Sequence, residues 1–71
     1  MFTYRVDIIE LLRENNINTY AVRKNKIFSE STMQKFRSGK IVSLTEIDKV
    51  CQLCHVRPED ILSFSFDDNY T

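Results

Sequence analysis

Glycine and proline are almost missing from this chain: Gly39 and Pro58 stand alone among 71 residues. That scarcity argues against a fold of many turns, such as an all-β sandwich or barrel. No run of 18 apolar residues occurs, so no membrane span is expected. The first residues carry Arg5 and Asp7 rather than an apolar stretch ending in small residues. No signal peptide is therefore expected, and the sequence reads as cytoplasmic. His55 is the lone histidine, and one glycine cannot build a phosphate-cradling loop. No nucleophile is matched with a base. Nothing calls for an enzyme, a cofactor or a metal.

What is present is an uneven distribution of charge. The formal net charge is zero. Yet Arg23, Lys24, Lys26, Lys35, Arg37 and Lys40 face only Glu30 between Asn15 and Lys40. From Ile41 onward, Lys49 and Arg57 face Glu46, Asp48, Glu59, Asp60, Asp67 and Asp68. A basic middle and an acidic end suit a protein with one face toward a polyanion and another turned away. Charge of either sign also keeps a small protein soluble. Asp67-Asp68 fits a solvated tail better than a metal or partner contact.

Residues 1–71 read as a single small domain, mainly all-α, with no internal repeat and no linker. A first helix is expected from about Arg5 to Asn15, with Val6, Ile9 and Leu12 inward and Ile8 and Leu11 widening that side. A second starts at Asn18 or Thr19 and runs to about Asn25, with Tyr20 and Val22 inward. A third covers Ser29 to Ser38. A fourth opens with the capping box Ser43-Leu-Thr-Glu46 and carries Leu44, Ile47, Val50, Cys51 and Cys54 at helical spacing. A fifth starts at Pro58, a residue suited to a first helical position, and is anchored by Ile61 and Leu62. Phe2-Thr-Tyr4 and Phe64-Ser-Phe66 alternate in polarity as short strands do. Neither is long enough to stand alone, so they pair with each other or across a dimer.

Cys51-Gln-Leu-Cys54-His55 matches the pattern for covalent haem attachment. Such attachment belongs to exported proteins, and a chain this short leaves no pocket for a macrocycle. Zinc would lack ligands, with no second pair of cysteines. Packing is the better account: Cys51 and Cys54 sit i, i+3 on the fourth helix, and small thiols are among the most buried side chains. They are expected reduced.

The most telling stretch is Ser29-Glu-Ser-Thr-Met-Gln-Lys-Phe-Arg-Ser-Gly-Lys40. Ser29 can cap a helix, Met33 and Phe36 give it one apolar side, and Gly39 supplies a left-handed stop. Glu30, Ser31, Gln34, Lys35 and Arg37 are left outside. A short helix of this kind suits a DNA groove, although an ordinary surface helix looks similar.

Taken in order, these pieces resemble the phage-repressor and Cro-type (xenobiotic-response-element-type) helix-turn-helix family of bacterial transcriptional regulators. The branch of small stand-alone domains is the nearest in pattern. The resemblance runs from about Tyr4 to Phe66. It rests on Thr19-Tyr-Ala-Val22, Phe28-Ser-Glu-Ser-Thr32, Gly39-Lys40, the run Leu44-Thr-Glu-Ile47-Asp-Lys-Val50-Cys51, and Pro58-Glu-Asp-Ile-Leu62 with Phe64. The departures are Ile27, where the family often has glycine in the turn, and Arg23, where it favours alanine. Either that turn takes another conformation or Asn25 carries the left-handed residue.

The resemblance implies a five-helix domain that binds double-stranded DNA as a homodimeric, repressor-like regulator, its third helix in the major groove. The base contacts it implies are Glu30, Ser31 and Lys35, with Gln34 flanking. Lys35 can donate to guanine, Gln34 can pair with adenine, and Glu30 can accept from cytosine. Backbone contacts fall to Asn18, Thr19, Arg23, Lys24, Lys26, Arg37 and Lys40, and Thr32 is either semi-buried or reaches a phosphate as well. A competing reading is a protein-interaction module on the same scaffold, such as an antitoxin or anti-repressor.

Overall fold

The computed structural model describes residues 1–67; Asp68, half of the acidic pair, lies outside them. The order is β1 (Phe2–Tyr4), α1 (Ile8–Glu14), α2 (Thr19–Lys24), α3 (Glu30–Ser38), α4 (Leu44–Cys54), α5 (Pro58–Ile61) and β2 (Leu62–Phe64). The expected helices are all present, with the caps that the residue types dictate. Asp7, Asn18, Ser29 and Ser43 each accept a backbone N–H from the residue three positions on. Each satisfies one donor that a helix start leaves unpaired. Asp7 is where α1 departs from expectation. Its cap delays the helix to Ile8, so Val6 lies outside it and is exposed. The inward residues of α1 are Ile8 and Leu12, with Ile9 and Leu11 partly buried.

One core joins all five helices: Ile8 and Leu12 from α1, Val22 from α2, Met33 and Phe36 from α3, Ile47, Val50 and Cys54 from α4, Ile61 from α5, and the loop residues Phe28 and Val42. Each large aliphatic side chain buried there contributes about 1.5–3 kcal/mol over leaving it in water. Phe36 meets Phe28 edge-on at 5.3 Å and Tyr4 at 6.2 Å, tying α3 to its own turn and to β1. Leu44, expected inward, is 83% exposed, and Val42 completes the core on that side. Cys54 is buried and Cys51 half-buried, both as free thiols. Burial pushes both thiols up from their ordinary value. Asp48 and Asp60 add to the effect at Cys51, and Cys51 adds to it at Cys54. His55 turns outward as the left-handed cap of α4, so the three residues of the haem-like pattern do not face one site.

The chain ends pair with each other. β1 and β2 run antiparallel in the register Phe2↔Phe64, Thr3↔Ser63, Tyr4↔Leu62. β2 begins two residues earlier than the alternation at Phe64 suggests. Tyr4 and Leu62 pack against the core, and Arg5 N–H donates to the Ile61 carbonyl at 2.8 Å, so pairing starts as α5 ends. Phe2, Tyr4, Leu62 and Phe64 share one face of the sheet. The Phe2–Phe64 end overhangs the core and is exposed, with Phe66 at 5.2 Å from Phe64 and 90% exposed.

Candidate nucleic-acid interface

α2 and α3 are joined by a five-residue turn, Asn25 to Ser29. The Ile27 N–H donates back to the Val22 carbonyl at 3.0 Å, and Lys26 N–H to Arg23 at 3.3 Å. The left-handed residue is Lys26, with φ 52°; Asn25 has φ −94°. The turn therefore does without a glycine by giving the strained position to an unbranched lysine rather than to Ile27 or Asn25, at about 1 kcal/mol. Lys49 of α4 closes it from below: its ammonium donates to the Ile27 carbonyl at 2.9 Å and lies 5.5 Å from the Phe28 ring centre. Sequence reasoning passed over Lys49, whose role depends on a residue 22 positions away.

α3 is held by three buried side chains, Thr32, Met33 and Phe36. That spacing keeps Ser31, Gln34, Lys35 and Ser38 together on the opposite side, with Glu30 and Arg37 on an adjoining stripe. Gly39, φ 75°, ends the helix, and the Lys40 N–H returns to the Lys35 carbonyl at 2.8 Å. The Tyr4 hydroxyl donates to the Lys40 carbonyl at 2.9 Å. The Lys40 backbone is thus pinned on both sides while its side chain stays exposed. Burial pushes the Tyr4 hydroxyl up from its ordinary value; the Val42 backbone opposes that shift and the Glu46 charge adds to it.

The side chains singled out from the sequence divide into those that are free to meet a ligand and those already committed. Ser31, Gln34, Lys35, Lys24, Lys26 and Lys40 are exposed, the Ser31 hydroxyl sharing a hydrogen bond with that of Ser29 at 3.1 Å. The four lysines make no ion pair among the described residues. Asn18 caps α2 by accepting from Ala21 at 2.8 Å, and Thr19 is half-buried beside it. Arg23 and Arg37 both lean on Glu30, at 3.4 and 4.0 Å.

Of the two readings of Thr32, burial is the one observed, which corrects its place among the backbone contacts: it is 3% exposed, and its hydroxyl is committed within the protein. That hydroxyl accepts from Ser29 at 3.0 Å and donates to the Glu46 carboxylate at 2.7 Å. Glu46 therefore does not complete the expected capping box. Ser43 still accepts its N–H, but its carboxylate goes to α3. The result is a polar stitch fastening the start of α3 to the start of α4. Tyr20 is a second correction. Expected inward, it is 70% exposed, with the Lys24 ammonium 5.9 Å from its ring centre. Two residues on a helix lie about 200° apart, so Tyr20 cannot share the buried side of Val22. It adds an aromatic hydroxyl to the same surface as Arg23 and Lys24.

Two short helices at a fixed turn, the second presenting a polar and basic side from apolar anchors, define a helix-turn-helix DNA-binding domain. The chain belongs to the Cro/C1-type HTH DNA-binding domain family, whose model matches residues 7–67. Neither a curated protein nor a solved structure matches the chain significantly. No helix among the described residues is long and apolar enough to cross a membrane.

Proposed function

We propose that residues 1–71 act as one domain: a sequence-specific, repressor-like transcriptional regulator in the cytoplasm that binds operator DNA as a homodimer. The observation that carries this reading is the exposed side of α3. Ser31, Gln34 and Lys35 project from a helix fixed at both ends, by Ser29 and by Gly39. α3 enters the major groove, where Lys35 reads guanine, Gln34 adenine, and Ser31 and Glu30 the adjoining bases. Lys40, Lys24, Lys26, Arg37, Arg23, Asn18 and Thr19 hold the backbone, with Tyr20 added to them. Thr32 takes no part. The apolar overhang of the sheet supports the dimer: Phe2 and Phe64 are exposed on one small sheet with open edges, and Phe66, just beyond β2, is exposed beside them. A two-fold contact there sets two recognition helices about 34 Å apart, one turn of DNA.

The test is retention of duplexes from a randomised pool, followed by titration of the selected duplex at two salt concentrations. Lys35→Ala relaxes base preference and weakens specific binding by about 1–3 kcal/mol. Lys40→Ala weakens binding to all duplexes and lowers the salt dependence by about one charge. Retention of no duplex at about 50 mM salt refutes the reading and favours the protein-interaction module. Sedimentation of the full chain as a monomer, with full affinity for single half-sites, refutes the dimer.

A further inference from the structure

We propose that Glu30 sets specificity by restraint. In the DNA-free protein its carboxylate holds Arg23 and Arg37, and a duplex must take them from it. The inference rests on the DNA-binding reading above. Glu30 is the sole acid between Asn15 and Lys40, in the most basic part of the chain. It is the first residue of α3, and two guanidiniums converge on its Oε1: Arg23 from the last turn of α2 at 3.4 Å, and Arg37 from two turns down α3 at 4.0 Å. A carboxylate and a phosphate oxygen are both anionic acceptors for a guanidinium, so Glu30 competes with DNA phosphates for the same two side chains.

All three side chains are substantially exposed, so these pairs add little to folding and open readily. Their effect is on binding. When phosphates take Arg23 and Arg37, Glu30 is left uncompensated beside a polyanion. Only a hydrogen-bond donor in the groove relieves that state, and the cytosine N4 amino group is one. A duplex that places neither the cytosine N4 nor the adenine N6 amino group in register meets both penalties, the loss of the pairs and an unpaired carboxylate. A duplex with either there meets only the first. Glu30 therefore discriminates by weakening binding to wrong sequences more than by strengthening binding to the right one.

The experiment compares the full chain with Glu30→Gln and with Glu59→Gln. The second removes the same charge from another exposed pair, Arg57–Glu59 at 3.5 Å, on α5. Each protein is titrated with a random-sequence duplex and with the selected duplex across a salt series. Glu30→Gln is expected to bind the random duplex about two- to tenfold tighter at low salt, the sum of two exposed pairs. Its salt dependence steepens by about one to two charges. Its ratio of selected to random affinity falls, and Arg23→Gln in the same background reverses part of the gain. Equal binding of the random duplex by wild type and Glu30→Gln overturns the proposal. So does a gain of the same size in Glu59→Gln, which is then an effect of net charge. Failure of wild type and both variants to bind any duplex overturns the DNA-binding reading itself, and this inference with it.

Discussion

Thr32→Val tests whether α3 is fastened through a polar stitch or merely lies on the core. Valine keeps the shape and β-branching of threonine and removes one hydroxyl. The main bond lost is an O–H donated to a carboxylate at 2.7 Å, and such bonds contribute about 1.5–3 kcal/mol; the bond accepted from Ser29 at 3.0 Å goes too, but Ser29 is exposed and can turn to water. Glu46 is only half-buried and can recruit water, which places the loss near the lower end. A methyl buried in place of the hydroxyl offsets about 0.8 kcal/mol. The single substitution therefore costs about 1 kcal/mol, or about 4–8 °C in Tm for a domain this size. A double-mutant cycle with Glu46→Ala cancels the methyl term and isolates the bond, giving a coupling of about 1.5 kcal/mol by urea unfolding. That is a large part of the roughly 4–11 kcal/mol available to 71 residues. A coupling below about 0.4 kcal/mol refutes the stitch. A different outcome, unchanged stability with a uniform loss of DNA affinity, returns Thr32 to the phosphate contacts that the sequence suggested.

Other expectations follow from the same geometry. Gly39→Ala meets no atom within 4 Å, so its cost is the strain of an L side chain at φ 75°, about 1 kcal/mol by thermal unfolding. Cys51→Ala with Cys54→Ala lowers stability by about 1–3 kcal/mol and leaves DNA affinity unchanged; stoichiometric zinc or a haem band in native protein contradicts that packing role. Cys51, Cys54 and Tyr4 all favour their neutral forms more in the folded chain than in the unfolded one. Their contribution is complete below the ordinary thiol value of 9.0 and is lost as pH rises through the higher folded values. Unfolding midpoints that fall above pH 9 agree with this, and midpoints flat to pH 11 do not. Tyr20→Phe keeps the ring and removes the hydroxyl; it weakens binding of all duplexes by up to about 1.5 kcal/mol and leaves stability unchanged, and equal affinity excludes Tyr20 from the backbone contacts.

Much of the architecture was legible in the sequence because its signals are short-range. Asn18, Ser29 and Ser43 cap helices through bonds to residues three positions away, and Gly39 stops α3 by its own freedom at positive φ. Pro58 opens α5, and the order of these signals places two short helices on either side of one turn. The inward side of α3, Met33 and Phe36, follows from spacing alone. Tertiary structure decided which apolar residues reach the core. Val42 is buried where Leu44 is not, because the packing of α3 against α4 fixes which side chain fills the core there; Val6 and Tyr20 stand outside for local reasons, the Asp7 cap and the helical period of α2. Tertiary structure also chose Lys26 for the left-handed position of the turn, with Lys49 completing the Ile27 carbonyl from another helix. Thr32 and Glu46 are 14 residues apart, Glu30 is seven from each of its arginines, and no local preference signals either set of contacts. Local propensity acts over about one turn of chain: the Glu30–Arg37 pair spans two turns within α3, and the Thr32–Glu46 and Glu30–Arg23 contacts exist only after α2, α3 and α4 have packed and brought separate stretches together.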